Sequence, residues 1–236
     1  MRNKSLILVM ISSSIIFLFI TMNTIYNDGT RLDDAIINWS HNITSPFFVE
    51  VLRFLTYIGS GEFIMISSII ISTIFLFRKD LYHALFLMCV TGSGILFNFI
   101  LKVAFQRERP GEMSYIEVFG YSFELASYSF PSGHMMRTVL LFSFFIYFIH
   151  SYFLNRIVKV SLYLLSITIT LGVGASRVVL GAHFPSDIIA AIFISITWFI
   201  LCYFSFKAIF SKKNKNEHGK ARFLFFLEAV EFRRSS

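Results

Sequence analysis

Residues 82–104 read YHALFLMCVTGSGILFNFILKVA, an apolar run whose only full charge is Lys102, close to its end. A bilayer's hydrocarbon core, about 30 Å thick, is crossed by roughly 20 helical residues. Inside lipid the backbone N–H and C=O groups must be satisfied within the segment, so the run is expected to be a membrane-spanning helix. Five more runs meet the same test, at about 5–25, 55–77, 134–154, 158–176 and 186–209. Together they predict an all-α fold, a polytopic bundle of six transmembrane helices.

Composition agrees with that reading. The chain of 236 residues is 56% hydrophobic and 15% charged, with Phe alone occurring 30 times. Ordinary soluble domains carry about 25% charged residues. The formal net charge of +7 gathers at the ends of apolar runs rather than along a solvated stripe, so no nucleic-acid partner is expected. Cys89 and Cys202 lie inside apolar runs without metal-ligand spacing and read as ordinary buried thiols. Arg2 and Lys4 precede the first run, which continues to about Ile25 with no small-residue cleavage pattern, so it reads as a signal anchor.

The organisation that follows is a membrane domain over residues 1–211 and a basic tail over 212–236. Lys212, Lys213 and Lys215 open the tail, and the Phe223–Phe226 patch reads either as an amphipathic segment or as residues foreign to the natural chain. Arg78, Lys79, Arg156, Lys159 and Lys207 fall on the N-terminal side of the membrane and suggest cytoplasmic N- and C-termini. Between the first two runs, Leu32, Ile36, Ile37 and Trp39 have the pattern of an interfacial helix.

Three clusters then fall on the opposite, extracytoplasmic side. Lys102 and Arg109 are seven residues apart, two helical turns, and share one face if the helix continues that far. Pro110 places Arg109 near the helix end. A lysine and a forked guanidinium converging on a dianion would bind phosphate; the alternative is a pair of snorkelling interfacial cations. Pro131-Ser132-Gly133-His134 stands directly before the fourth run, where free helix N–H groups form an anion site. Ser132 would equally serve as a simple N-cap. In the third cluster, Ser176-Arg177 is followed by His183 and Asp187, with Pro185 in the first turn of the last helix. A carboxylate that holds one imidazole nitrogen presents the other as a nucleophile, although an interfacial Arg–Asp pair beside an unrelated His has the same pattern.

Taken jointly, Lys102…Arg109-Pro110, Pro131-Ser132-Gly133-His134 and Ser176-Arg177…His183…Asp187 resemble the signature of the type 2 phosphatidic acid phosphatase superfamily. The resemblance implies a lipid phosphatase in which His183 attacks phosphorus, Asp187 orients it and His134 protonates the leaving group. It implies Lys102, Arg109, Ser132, Gly133 and Arg177 as phosphate ligands, with no metal and no cofactor. The expected partners are a lipid phosphate substrate and membrane lipids, without an obligate protein partner. Short loops and a composition rich in Lys, Asn, Ile and Phe resemble bacterial members, at the plasma membrane with the site facing out. Within bacteria the resemblance points to phosphatidylglycerophosphate and undecaprenyl pyrophosphate, with phosphatidic acid a further candidate. Two alternatives share the motifs: soluble vanadium haloperoxidases, which the six apolar runs disfavour, and an inactive binding or transport protein of the same fold, which the presence of both histidines disfavours.

Other residues carry less. Asn98, one turn before Lys102, would orient it or pack. Glu62, after Gly59-Ser60-Gly61, sits at the edge of lipid, where an ionisable group is a functional hypothesis or a snorkelling side chain. Arg137 would pair with an acid such as Glu124 or meet the substrate. His41, His83, His150 and His218 have no evident partners in the sequence and read as interfacial or solvated.

Overall fold

The computed structural model describes residues 2–26, 30–40, 42, 45–110, 116–118, 121–123 and 128–234. Among the described residues eight helices follow in chain order: α1 Arg2–Tyr26, α2 Arg31–Ser40, α3 Pro46–Ile58, α4 Gly61–Phe77, α5 Leu81–Phe105, α6 Gly133–Tyr152, α7 Arg156–Val179 and α8 Pro185–Arg234. Between α5 and α6 lies a small antiparallel hairpin, β1 Ile116–Val118 and β2 Tyr121–Phe123, with Ile116 opposite Phe123. Helices α1, α5, α6, α7 and the first part of α8 are each long and apolar enough to cross a membrane, and the bent pair α3–α4 supplies a sixth span. The fold is the six-span helical bundle expected.

The second span differs in detail from the uninterrupted run expected at 55–77. It begins at Pro46 and bends by 49° at Gly59–Ser60. The cause is local: Ser60 takes an extended conformation and its hydroxyl accepts the Phe63 N–H, which restarts the helix as an N-cap. The other helix starts are equally explicit. Asp80 caps α5 through the His83 N–H, and Asn155 caps α7 through the N–H groups of Ile157 and Val158.

The bundle turns its large apolar side chains in two directions. Phe86, Phe144, Leu140, Leu141, Met135, Met136 and Val90 are buried where α5, α6 and their neighbours meet. Leu8, Phe19, Phe77 and Leu154 point outward, Phe77 at 85% and Leu154 at 96% exposure. In water such surface would cost about 25 cal/mol per Å²; against acyl chains it costs nothing of the kind. Cys89 belongs to this outward set and is exposed, not buried as read from the sequence. Serine and threonine hydroxyls within the spans donate to carbonyls one turn back, as Thr91 does to Leu87 and Ser166 to Leu162.

One further expectation is corrected. His83 is neither solvated nor alone: it is buried, 2.7 Å from the Asp80 carboxylate, and ringed by Phe75, Tyr82, Tyr147, Phe148 and Tyr152. Its pairing follows from the Asp80 cap, which brings residue i+3 under the carboxylate. His150 lies exposed with its Nδ1 3.3 Å from the Tyr163 hydroxyl. His41, Glu124 and the side chain of His218 fall outside the described residues.

Chain packing divides into two units, 1–200 and 201–236. The first holds everything discussed below. In the second, α8 continues as helix and Phe206 stacks on Phe210 at 4.7 Å.

The bend at Gly59 is where α3–α4 meets the helices of the bundle. A Cβ there would lie 2.8 Å from Val173 Cγ1, 2.9 Å from Thr138 Oγ1 and 3.3 Å from His134 Cβ. Gly59→Ala is therefore expected to cost about 1–3 kcal/mol by overpacking and to displace His134. Thermal melting of the purified protein in detergent checks the first effect; an unchanged melting temperature would mean that α3–α4 has room to move away.

Candidate functional site

Four helix ends meet at one end of the bundle: the C-termini of α5 and α7 and the N-termini of α6 and α8. This is what brings the three sequence clusters together.

From α5 comes Lys102, 7% exposed, whose Nζ donates to the Tyr128 carbonyl. Asn98, one turn earlier, donates to the Pro131 carbonyl at 3.2 Å, tying α5 to the turn that opens α6. The helix does not carry Arg109 on its face. It stops at Phe105, because Gln106 adopts a left-handed conformation (φ 47°) and donates back to the Lys102 carbonyl. Arg109 therefore stands on the segment that leaves the helix, and its proximity to Lys102 comes from this loop rather than from two continuous turns.

At the head of α6, Ser132 is fully buried, its hydroxyl accepting the Met135 N–H at 3.4 Å. Its own N–H donates to the Asp187 carbonyl, joining the start of α6 to the start of α8. Gly133 has no room for a side chain: a Cβ would lie 2.9 Å from Asn98 Oδ1, 3.3 Å from Arg137 Nη1 and 3.7 Å from Lys102 Cε. Lys102 and Arg137 thus flank the same backbone turn, and His134 follows it half-buried.

Between α7 and α8 the chain reverses at Gly181, whose φ of +67° favours glycine. The reversal lets the Arg177 carbonyl accept the N–H groups of Ala182 and His183. Arg177 Nη1 donates to Thr56 Oγ1 at 3.1 Å, and its Nε is buried with no partner among the described residues. A buried guanidinium N–H left open in this way fits an anionic ligand.

His183 is 1% exposed, with Nδ1 3.5 Å from Asp187 Oδ2 and 3.3 Å from the Ser129 hydroxyl. Burial pushes its pKa down to about 3, against the opposing pull of Asp187, so the ring is neutral at pH 7 and one nitrogen keeps its lone pair. Burial likewise lowers the pKa of Arg109, with Asp187 opposing, yet a guanidinium stays charged.

Asp187 is the most enclosed acid of the site. Its Oδ2 accepts from Ser129 Oγ and from the Phe184 N–H at 2.9 Å, while Oδ1 accepts from Arg107 Nη1 at 2.6 Å. Arg107 also donates to Ser186 Oγ and, through Nη2, to Asp33 Oδ2 at 3.2 Å, and its guanidinium lies 4.1 Å from the Phe184 ring centroid. Asp33 in turn accepts from the Ser186 N–H and hydroxyl, so α2 is fastened to α8. Sequence reasoning singles out neither Arg107 nor Asp33 and misses their pairing, together with Ser129 and Ser186. No spacing connects residues 33, 107 and 187. One cavity adjoins the cluster, and a second runs along α7 and α8. The first, of about 530 Å³, is lined by Thr24, Gln106, Arg107, Glu108, Arg109 and Phe184. The other, about 320 Å³, is an apolar groove beneath Ile36 and Trp39 of α2.

Such a cluster combines anion ligands, a neutral imidazole held by a carboxylate, and a second imidazole, which is the equipment for phosphoryl transfer. The sequence profile of the PAP2 superfamily matches residues 81–210. The chain belongs to the PAP2 superfamily, and it is a membrane phosphatase. It is 29% identical over 192 residues to phosphatidylglycerophosphatase B of Bacillus subtilis, covering 80% of this chain and 91% of that one. A lipid A 1-phosphatase of Rhizobium johnstonii is 35% identical over 118 residues, 48% of this chain and 42% of that protein. Among solved structures, a transmembrane PAP2-type phosphatidylglycerolphosphate phosphatase of Bacillus subtilis superposes with a TM-score of 0.72 at 28% identity, over 85% of this chain and 96% of that one. LpxE of Aquifex aeolicus shares the fold, with a TM-score of 0.54 at 22% identity over 74% of this chain.

Two outcomes are expected for this PAP2 site. Arg107→Gln leaves two buried carboxylates without their cation and should destabilise the protein by about 3–5 kcal/mol. Adding Asp33→Asn should recover part of that loss, measured by melting in a double-mutant cycle; strictly additive losses would show that Arg107 and Asp33 are uncoupled. His183 should remain the neutral imidazole from pH 8 down to about 4 by ¹⁵N NMR. Since its folded pKa lies below the unfolded value near 6.5, the stability tied to its neutral form is complete above that value. It drains away as pH falls toward 3.

Proposed function

We propose that this phosphatase hydrolyses lipid phosphates through a phosphohistidine intermediate, without a metal, at the extracytoplasmic face of a bacterial plasma membrane. The observation that carries the reading is the meeting of Lys102, the Ser132-Gly133-His134 turn, Arg177 and the His183–Asp187 pair at one end of an apolar bundle. In the first step the free nitrogen of His183 attacks phosphorus, the bond from phosphorus to the leaving oxygen breaks, and His134 gives its proton to that oxygen. Asp187 stabilises the charge that develops on the His183 ring. In the second step water attacks phosphorus, the phosphorus–nitrogen bond breaks, and His134 takes the water's proton, restoring both histidines and releasing inorganic phosphate.

Lys102, Arg109, Arg177, the Ser132 hydroxyl and the backbone N–H groups at the start of α6, Gly133 among them, hold the non-bridging oxygens. They supply the charge that a metal provides in other phosphoryl transferases. Orientation is argued from charge: Arg78, Lys79, Arg156 and Lys159 sit at the end of the bundle away from the site, consistent with that end, and both termini, being cytoplasmic. The substrate class is argued from the outward apolar surface of the spans and from the lipids named for the relatives, a phosphatidylglycerophosphatase and a lipid A 1-phosphatase. Phosphatidylglycerophosphate and undecaprenyl pyrophosphate are the substrates proposed, with phosphatidic acid as a simpler one.

The test is phosphate release from these three lipids by purified protein with EDTA present, together with trapping of label from a terminally ³²P-labelled substrate after rapid acid-free denaturation. Label bound to the protein and lost in His183→Ala, with turnover lowered at least 10³-fold, is the expected result. Retained turnover in that variant, or complete dependence on added metal, would overturn the mechanism.

A further inference from the structure

Arg137 is a fourth cation at the phosphate site and belongs to none of the three sequence clusters. It lies in the second turn of α6, and helical side chains lean toward the N-terminus of their helix. Its guanidinium is thereby carried back to the level of His134 and Gly133. Nη2 comes within 3.5 Å of His134 Nδ1, and Nη1 within 3.3 Å of the place a Gly133 Cβ would occupy.

The polar contacts described for this side chain are both long: the one to His134 and an Nε–H donated to the Gly59 carbonyl at 3.4 Å. Among the described residues no carboxylate forms an ion pair with it. The acid whose charge reaches it is Glu62, exposed at the start of α4. A largely enclosed guanidinium with five N–H donors is costly unless an anion meets it. Among the described residues no carboxylate supplies that anion in contact.

Position decides which anion fits. Arg137 Nη2 lies 3.5 Å from His134 Nδ1, whereas His183 Nδ1 faces Asp187 Oδ2 and the Ser129 hydroxyl. Arg137 therefore stands on the His134 side of the site. By the mechanism proposed above, that is the side on which the leaving group departs, and Lys102, Arg109 and Arg177 already serve the phosphoryl group in transfer. We propose that Arg137 binds a second phosphate carried by the leaving group and so selects lipids that bear two phosphate groups. In a lipid pyrophosphate that group is the lipid-linked phosphate released when the P–O–P bond breaks. In phosphatidylglycerophosphate it is the phosphodiester, one glycerol away from the bond that breaks. The shared feature is an anion beyond the scissile oxygen, which phosphatidic acid lacks.

This inference rests on the lipid phosphatase reading, and the experiment separates the two. The full chain in detergent, with EDTA, is assayed on undecaprenyl pyrophosphate, phosphatidylglycerophosphate and phosphatidic acid, as wild type, Arg137→Gln and Arg137→Lys. The quantity read is the ratio of kcat/KM on each two-phosphate lipid to that on phosphatidic acid. Loss of a charge-assisted contact should lower this ratio about 10- to 100-fold in Arg137→Gln. Arg137→Lys, which keeps the charge without the fork, should lower it less and serves alone if the glutamine variant fails to fold. A fall confined to the pyrophosphate arm assigns the contact to a directly linked phosphate; a fall confined to the phosphatidylglycerophosphate arm assigns it to the phosphodiester. Equal losses on all three lipids, or no loss, overturn the proposal and leave Arg137 a support for His134. Wild-type protein inert on every lipid overturns the lipid phosphatase reading itself, and the assignment with it.

Discussion

A carboxylate at the head of α8, removed from water on every side, is the constraint around which this end of the molecule is built. Burying Asp187 is affordable only because each of its oxygens is met: Oδ1 by Arg107, Oδ2 by Ser129, by the Phe184 N–H and, at longer range, by His183. These partners come from three different stretches of chain. Satisfying one acid therefore draws the segment after α5, the residues before α6 and the α7–α8 turn to a common point. Asp33 extends the same network to α2.

Around that anchor the cations take positions that bundle packing alone would not select. Lys102, Arg137 and Arg177 project from helices at the edge of an apolar interior, where isolated charge is disfavoured. Each is steered by main-chain or hydroxyl contacts, from Tyr128, Gly59 and Thr56 respectively. The pattern suits a site whose charge balance is completed by the substrate. On the function proposed, that substrate is a lipid phosphate, whose headgroup brings the negative charge.

Much of this architecture is legible in the sequence because the bilayer imposes a strict rule. An apolar run of about 20 residues has essentially one conformation available in lipid, so six runs announce six spans. Pro185 and Asp187 announce the first turn of α8, and Ser132 a helix cap, since both depend on chemistry within a few residues. What failed was also local in origin: Ser60 restarts a helix where hydropathy runs on unbroken, and the left-handed Gln106 ends α5 before Arg109 can share its face. The apolar run of α5 stops where the helix does, but hydropathy carries no sign of the left-handed turn that takes Arg109 off the helix face.

By itself, then, the sequence determined the solvent this protein lives in, the number of its spans and the residue types available for phosphate chemistry, because each of these follows from composition or short spacing. Only the tertiary structure decided how those residues are held. The Asp33–Arg107–Asp187 network spans elements far apart in the chain, and the approach of Arg137 to Gly133 depends on how α6 is oriented against α3–α4 and α5. Such pairings arise from burial, which obliges distant charges to find one another once water is excluded. That is a property of the packed bundle and of no segment within it.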